Sequence, residues 1–207
     1  MRYRYHFWTA TRATSKSFTA YLSSVVRAVL LPRSTLMIAS DVKGTVIKIA
    51  EAKFEEIFRH WPLLRKELAT RTEDGKSGQK SSSNYYELHF KNGSTITVVS
   101  KDTSRGLRAT GAVLEECALI DEIPYTEVLL PQMNIKRREV DGTINPDEPS
   151  AAQSFITTAA PRTVFMYNKL IECAVNMVLR PEEYFVWGLS YVTPLRYGLL
   201  DKATMMD

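Results

Sequence analysis

Cysteine is scarce in this 207-residue chain: Cys117 and Cys173 stand in unrelated contexts, with no CxxC pair and no Cys/His cluster. Neither a disulfide framework nor a zinc site is indicated. Histidine is equally thin, with His6, His60 and His89 scattered along the chain and none beside a cysteine. The two thiols therefore read as small core residues rather than nucleophiles, and the histidines as structural. No apolar run approaches the roughly 18 to 20 residues of a membrane span, and the leading MRYRYHFW lacks the apolar stretch of a signal peptide. A large excess of one charge is missing too: the net charge of +4 permits work near phosphate without requiring it. A soluble protein of a reducing cytosol is the expectation.

What the chain does have is a 44% hydrophobic content over a length sufficient for one substantial core, so one domain spanning 1–207 is expected. Residues 3–10 read as a strand, and SFTAYLSSVVRAVLL at 17–31 carries helical spacing. Pro32 and Ser34 end that helix, and TLMIA at 35–39 suits a buried parallel strand. Ile47, Ala50, Phe54, Ile57, Phe58, Trp61, Leu64 and Leu68 mark a second helix, bent or split by Pro62. The polar TEDGKSGQKSSS at 72–83 reads as a loop. YYELHF, KNGS and TITVVS form a hairpin around Asn92-Gly93. An apolar-acidic stretch at 112–122, a polar insertion at 136–152, a strand at 154–159, a helix near 163–179 and a strand at 184–192 follow. Lys136-Arg137-Arg138 reads as a solvated charge run. The alternation predicts an α/β fold, a mostly parallel sheet flanked by helices with an inserted β-hairpin.

Between the first strand and helix lies Ala10-Thr-Arg-Ala-Thr-Ser15-Lys16-Ser17, which fits the spacing of a phosphate-binding loop: a small residue, four more, then small-Lys-Ser. In such a loop backbone N–H groups and the helix N-terminus cradle phosphate, Lys16 supplies a point charge, and the Ser17 hydroxyl ligates Mg²⁺. Both glycines of the usual pattern are absent, and the segment equally fits an ordinary helix cap. Such a site needs one carboxylate for Mg²⁺ and a second to activate water, both at the end of a neighbouring strand. Two adjacent pairs qualify, Glu115-Glu116 and Asp121-Glu122.

The segment SRGLRATGAVLEECALID, with Arg105-Gly106 ahead of the acids, is similar to part of the phage large terminases, and TATRATSKSF resembles that family's variant phosphate loop. FITTAAPR at 155–162 resembles its coupling motif. The resemblance covers most of the chain in the family's order and implies a P-loop NTPase fold and an ATP-driven, Mg²⁺-dependent motor that moves double-stranded viral DNA. It implies Glu115 and Ser17 on the metal, Glu116 as the water-activating base and Arg12 acting in cis on the γ-phosphate. It further implies Ser15, Lys16 and Ser17 on the nucleotide, and Thr157 and Thr158, on a coupling strand at 154–160, sensing the γ-phosphate. Asp121-Glu122 stays as the alternative acidic pair. A glutamate stands where the family usually has its first aspartate. A small terminase subunit and a portal protein are implied as partners, with a ring of like subunits, no membrane and the host cytoplasm as location. The family's adenine-contacting segment and nuclease domain have no counterpart in the sequence, so the chain is expected to be the motor portion alone. A helicase-like ATPase and a degenerate, non-hydrolysing P-loop module for DNA binding or assembly are the rival readings.

Overall fold

Runs such as TLMIA, apolar at every position, have two faces to bury, and the sheet buries both. The structure, a computed structural model, describes residues 3–40, 45–70, 78–82, 85–100 and 106–201. Strand β1 (Tyr5–Ala10) leads through a short loop into helix α1 (Lys16–Leu30), and β2 (Thr35–Ser40) follows. Helix α2 (Thr45–His60) stops at Trp61, and Pro62 opens the short α3 (Pro62–Lys66), so the proline splits the predicted helix in two. Next come β3 (Gln79–Ser81), β4 (Tyr85–His89), β5 (Thr95–Ser100) and β6 (Gly111–Glu115). A 3-10 turn (Cys117–Leu119) and a π-helical stretch (Pro124–Leu129) run into the single turn α4 (Leu130–Gln132). Strand β7 (Ala152–Thr157), α5 (Phe165–Leu179), β8 (Tyr184–Leu189) and α6 (Val192–Arg196) complete the order.

The eight strands form one sheet in the order β3-β4-β5-β2-β6-β7-β1-β8. All neighbours from β5 to β8 pair in parallel, while β3 and β4 are antiparallel additions at one edge. Along β2, Leu36 and Ile38 join the core under α1 and α2, with Tyr21, Val25, Phe54 and Ile57. Met37 and Ala39 join the opposite core, with Phe155, Leu129, Met166 and Cys173. The hairpin turn also closes the end of α1: the Asn92 amide donates to the Ala28 and Val29 carbonyls at 2.8 and 2.9 Å. Those carbonyls, left open by the end of the helix, are thereby satisfied.

Four expectations shift. Residues 79–81, read as loop, form an edge strand against β4, because backbone pairing with an open edge does not depend on side-chain polarity. The rest of that polar stretch, 72–77 and 83, lies outside the described residues, apart from Gly78 and Ser82 beside β3. Strand β7 begins two residues earlier than predicted and ends at Thr157. The last strand stops at Leu189, where the Ser190 hydroxyl accepts the Val192 N–H at 3.1 Å and turns the chain into α6. Finally, Arg137 is not a solvated cation: it is buried and binds Glu148 at 2.7 Å and the Pro32 carbonyl at 3.0 Å.

Candidate functional site

The C-terminal ends of the parallel strands converge, and in open α/β sheets ligands bind at that edge. The loop after β1 makes two left-handed residues, Ala13 at φ 61° and Ser15 at φ 55°. An L residue with a side chain pays about 1–2 kcal/mol for that region, so the loop adopts here, without glycine, the backbone that glycine would ease. The Thr14 hydroxyl donates to the Thr11 carbonyl at 2.7 Å and helps hold the turn. Ser15 stands at the N-cap of α1, yet its left-handed backbone and lack of a side-chain cap bond differ from an ordinary serine cap. Its carbonyl accepts the Thr19 N–H at 2.9 Å.

Lys16, in the first turn of α1, is 8% exposed, and its ammonium lies 3.6 Å from Glu116 Oε1. Glu116 follows the last residue of β6 in a left-handed conformation (φ 46°) and is more than a third exposed. The Thr158 hydroxyl donates to Glu116 Oε2 at 3.4 Å. Glu115 turns the other way: it is buried, and it accepts the Tyr21 hydroxyl at 2.6 Å. Burial first, and the Glu115 charge second, push the Tyr21 phenol well above its ordinary range, so it stays a donor. Thr157 is 5% exposed, and its hydroxyl finds no hydrogen-bond partner among the described residues. Asp121 and Glu122 are exposed where the π-helical segment begins, and no contact with Lys16 is formed there.

Arg12, Ser15, Lys16 and Ser17 share a cleft of about 590 Å³, whose far wall is Phe18, Lys53, Glu56, His60 and Trp61. Arg12 is exposed and Ser17 half-buried. Thr157 and Thr158 line a second, smaller cavity of about 200 Å³ with Thr9, Pro161, Arg162 and Tyr167. Of the sequence-predicted residues, the fold thus brings together Lys16, Glu116 and Thr158, keeps Arg12, Ser15 and Ser17 on the same cleft, and draws Glu115 toward α1. Arg105 lies outside the described residues. Sequence reasoning missed Tyr21 and the α2 wall. Tyr21 reads as one more apolar helix position, and the only trace of the wall is the helical spacing of Lys53, Glu56 and His60.

The overall fold is shared with solved proteins. The large terminase ATPase domain of Thermus phage P74-26 superposes with a TM-score of 0.62 at 14% identity, over 96% of this chain and 81% of that one. The chain has the fold of a large-terminase ATPase domain. The large terminase of a thermophilic bacteriophage, solved with ADP, matches with a TM-score of 0.60 at 13% identity, over 99% of this chain and 44% of that one. The same terminase with ATP-gamma-S matches with a TM-score of 0.58 at 14% identity, over 98% and 42%. The chain therefore spans less than half the length of those longer terminases. No protein-family model matches the sequence, and no curated protein matches it.

Within this terminase-type fold both cysteines are buried and free. Burial raises the Cys117 thiol strongly and the Cys173 thiol to about 11, which leaves both protonated and inert, as core residues. Among the described residues no three His, Cys, Asp or Glu side chains gather where they would hold a metal, and no helix is long and apolar enough to cross a membrane.

Proposed function

We propose that this chain is the ATP-hydrolysing motor portion of a large-terminase-like protein, which turns over Mg²⁺-ATP to move double-stranded DNA. The observation that carries the proposal is the Lys16–Glu116 pair, a buried ammonium facing a carboxylate across the mouth of a loop with the spacing of a phosphate site. A cleft of about 590 Å³ falls within the size range of small-molecule sites. The Thr157 hydroxyl, buried at the end of β7, has no hydrogen-bond partner among the described residues, and the adjoining Thr158 reaches Glu116. Terminases of this fold solved with ADP and with ATP-gamma-S support the same ligand.

In this reading the loop N–H groups of Ser15 and Ser17 and the Lys16 ammonium hold the β- and γ-phosphates. Arg12, free to swing in, neutralises charge that develops on the γ-phosphate. Glu116 orients a water and takes its proton as the water oxygen bonds to phosphorus and the ADP oxygen leaves. Thr158 holds Glu116 until nucleotide competes for Lys16. Mg²⁺ would be held by the Ser17 hydroxyl and, through water, by Glu115, and would offset charge on the phosphate oxygens. Strand β7, ending in Thr157 and followed by Thr158, relays the change of state to the DNA-gripping surface. A small subunit, a portal and a ring of like subunits complete the machine by analogy with terminases.

A second reading has its own observation. Glu115 is already bonded to Tyr21, and Ser15 occupies a glycine-type conformation, as expected of a loop retained for assembly or DNA binding after turnover is lost. Phosphate release with and without double-stranded DNA separates the two. DNA-stimulated release that Lys16→Ala abolishes supports the motor; nucleotide or DNA binding without any release supports the module. Separation of strands instead of movement along duplex would point to a helicase-like enzyme.

A further inference from the structure

The cleft does not end at the phosphate loop. It continues along the first turn of α1 to the corner where α2 gives way to α3, and there its wall turns aromatic. The corner is set by the backbone: the Trp61 N–H closes α2 on the Ile57 carbonyl at 2.9 Å, and Pro62 starts α3 in a new direction. The Trp61 ring is thereby carried outward and is 44% exposed. It remains braced by tilted ring contacts, with Phe18 6.1 Å and His60 5.8 Å away, ring centre to ring centre. Phe18 is fixed in turn by the Lys53 ammonium, 5.9 Å from its ring centre. Lys53 and Glu56 pair with each other at 3.0 Å. The far wall thus offers ring faces and few uncommitted polar groups.

A large aromatic ring, held in orientation yet left half in water at the mouth of a cleft, has the form of a stacking platform. We infer that the α2–α3 corner is the base subsite of this cleft, with Trp61 stacking on the face of the nucleotide base and Phe18 and His60 flanking it. The inference rests on the reading of the Lys16 loop as a phosphate site. Stacking reads the face of a base and not its edge, so the subsite prefers the larger purines and discriminates poorly between adenine and guanine.

The test is calorimetric titration of the whole chain with Mg²⁺ present, using ADP, GDP and inorganic tripolyphosphate as probes. Wild type is compared with Trp61→Ala, Trp61→Phe and Lys16→Ala. The subsite predicts that Trp61→Ala weakens ADP and GDP alike by about tenfold or more. Tripolyphosphate binding stays unchanged, and Trp61→Phe recovers most of the nucleotide affinity. If Trp61→Ala leaves ADP as in wild type while Lys16→Ala weakens it, the base lies elsewhere and the phosphate site stands. If Trp61→Ala weakens tripolyphosphate as much as ADP, the ring only props up the loop and the subsite is rejected. If Lys16→Ala changes none of the three probes, the phosphate site fails and the base subsite fails with it.

Discussion

Lys16 opens the helix that follows β1 and Glu116 follows β6, two strands that do not pair, and the residues meet at 3.6 Å because only β7 separates β1 from β6. One lies past a short loop and the other just past its strand, so the sheet brings two groups a hundred positions apart in sequence to one point. The pair also occupies Lys16, so in the proposed mechanism a phosphate entering the loop displaces Glu116. That exchange would turn the carboxylate from a partner of the ammonium into a base free to meet water.

Glu116→Gln separates binding from chemistry. The variant keeps the shape and the Thr158 contact but cannot take a proton, and it competes less well for Lys16. Nucleotide affinity is expected to stay equal or to rise, while steady-state phosphate release falls by roughly a hundredfold or more. Turnover at the wild-type rate would remove Glu116 from the role of base.

The Tyr21–Glu115 bond is a buried contact to a carboxylate, and its loss leaves Glu115 with less compensation for burial. Tyr21→Phe is expected to cost roughly 1.5–3 kcal/mol. Urea unfolding checks this: the midpoint should fall with an unchanged slope.

At the opposite end of the sheet from the cleft, Glu148 pairs with Arg137 at 2.7 Å and with Arg27 at 3.4 Å, and both guanidinium groups are only 6% exposed. Glu148→Ala would remove the carboxylate that the two buried guanidinium groups share, an effect of about 3–5 kcal/mol. Chemical denaturation should find the isosteric Glu148→Gln, which keeps the shape but loses the charge, nearly as destabilised as Glu148→Ala. A loss confined to Glu148→Ala would argue that packing, not charge, holds the 136–151 segment.

His6 carries a pH signature. Burial first, with the positive charge of Arg27 adding, lowers its pKa from 6.5 to about 4. The unfolded chain therefore takes up a proton that the folded chain refuses, and stability present above pH 6.5 is lost as pH falls from there toward 4. A shift of that size corresponds to roughly 3 kcal/mol. Urea midpoints between pH 7 and pH 4 should drop steeply for wild type and less for His6→Gln.

Much of the fold was legible because periodicity reports burial. The all-apolar TLMIA announces a strand covered on both faces, Asn92-Gly93 announces a hairpin, and Pro62 announces a break, and each is found where its chemistry requires. Edges were less legible. Gln79–Ser81 carries no apolar signal and becomes a strand only because β4 offers it an open edge. Arg137, one of three consecutive cations, is drawn inside by Glu148, which lies eleven residues on, and by the Pro32 carbonyl just beyond the end of α1.

The site divides along the same line. By itself the sequence determined the local pieces: a loop with Lys16 and Ser17 opening a helix, an apolar strand ending in two acids, and a strand ending in two threonines. All of these are contiguous, and contiguous chemistry is written in residue order. Only the tertiary structure decided that Glu116 meets Lys16 at the start of α1 while its neighbour Glu115 meets Tyr21 further along the same helix, because the left-handed turn at Glu116 takes it out of the strand's alternation. Only it decided that the cleft beside Lys16 is walled by Trp61, which stands at the junction of α2 and α3 and shares no motif with the loop. Both outcomes depend on which strand lies beside which and how α1 packs on α2, and those relations are set by burial of the two cores rather than by any local run of residues.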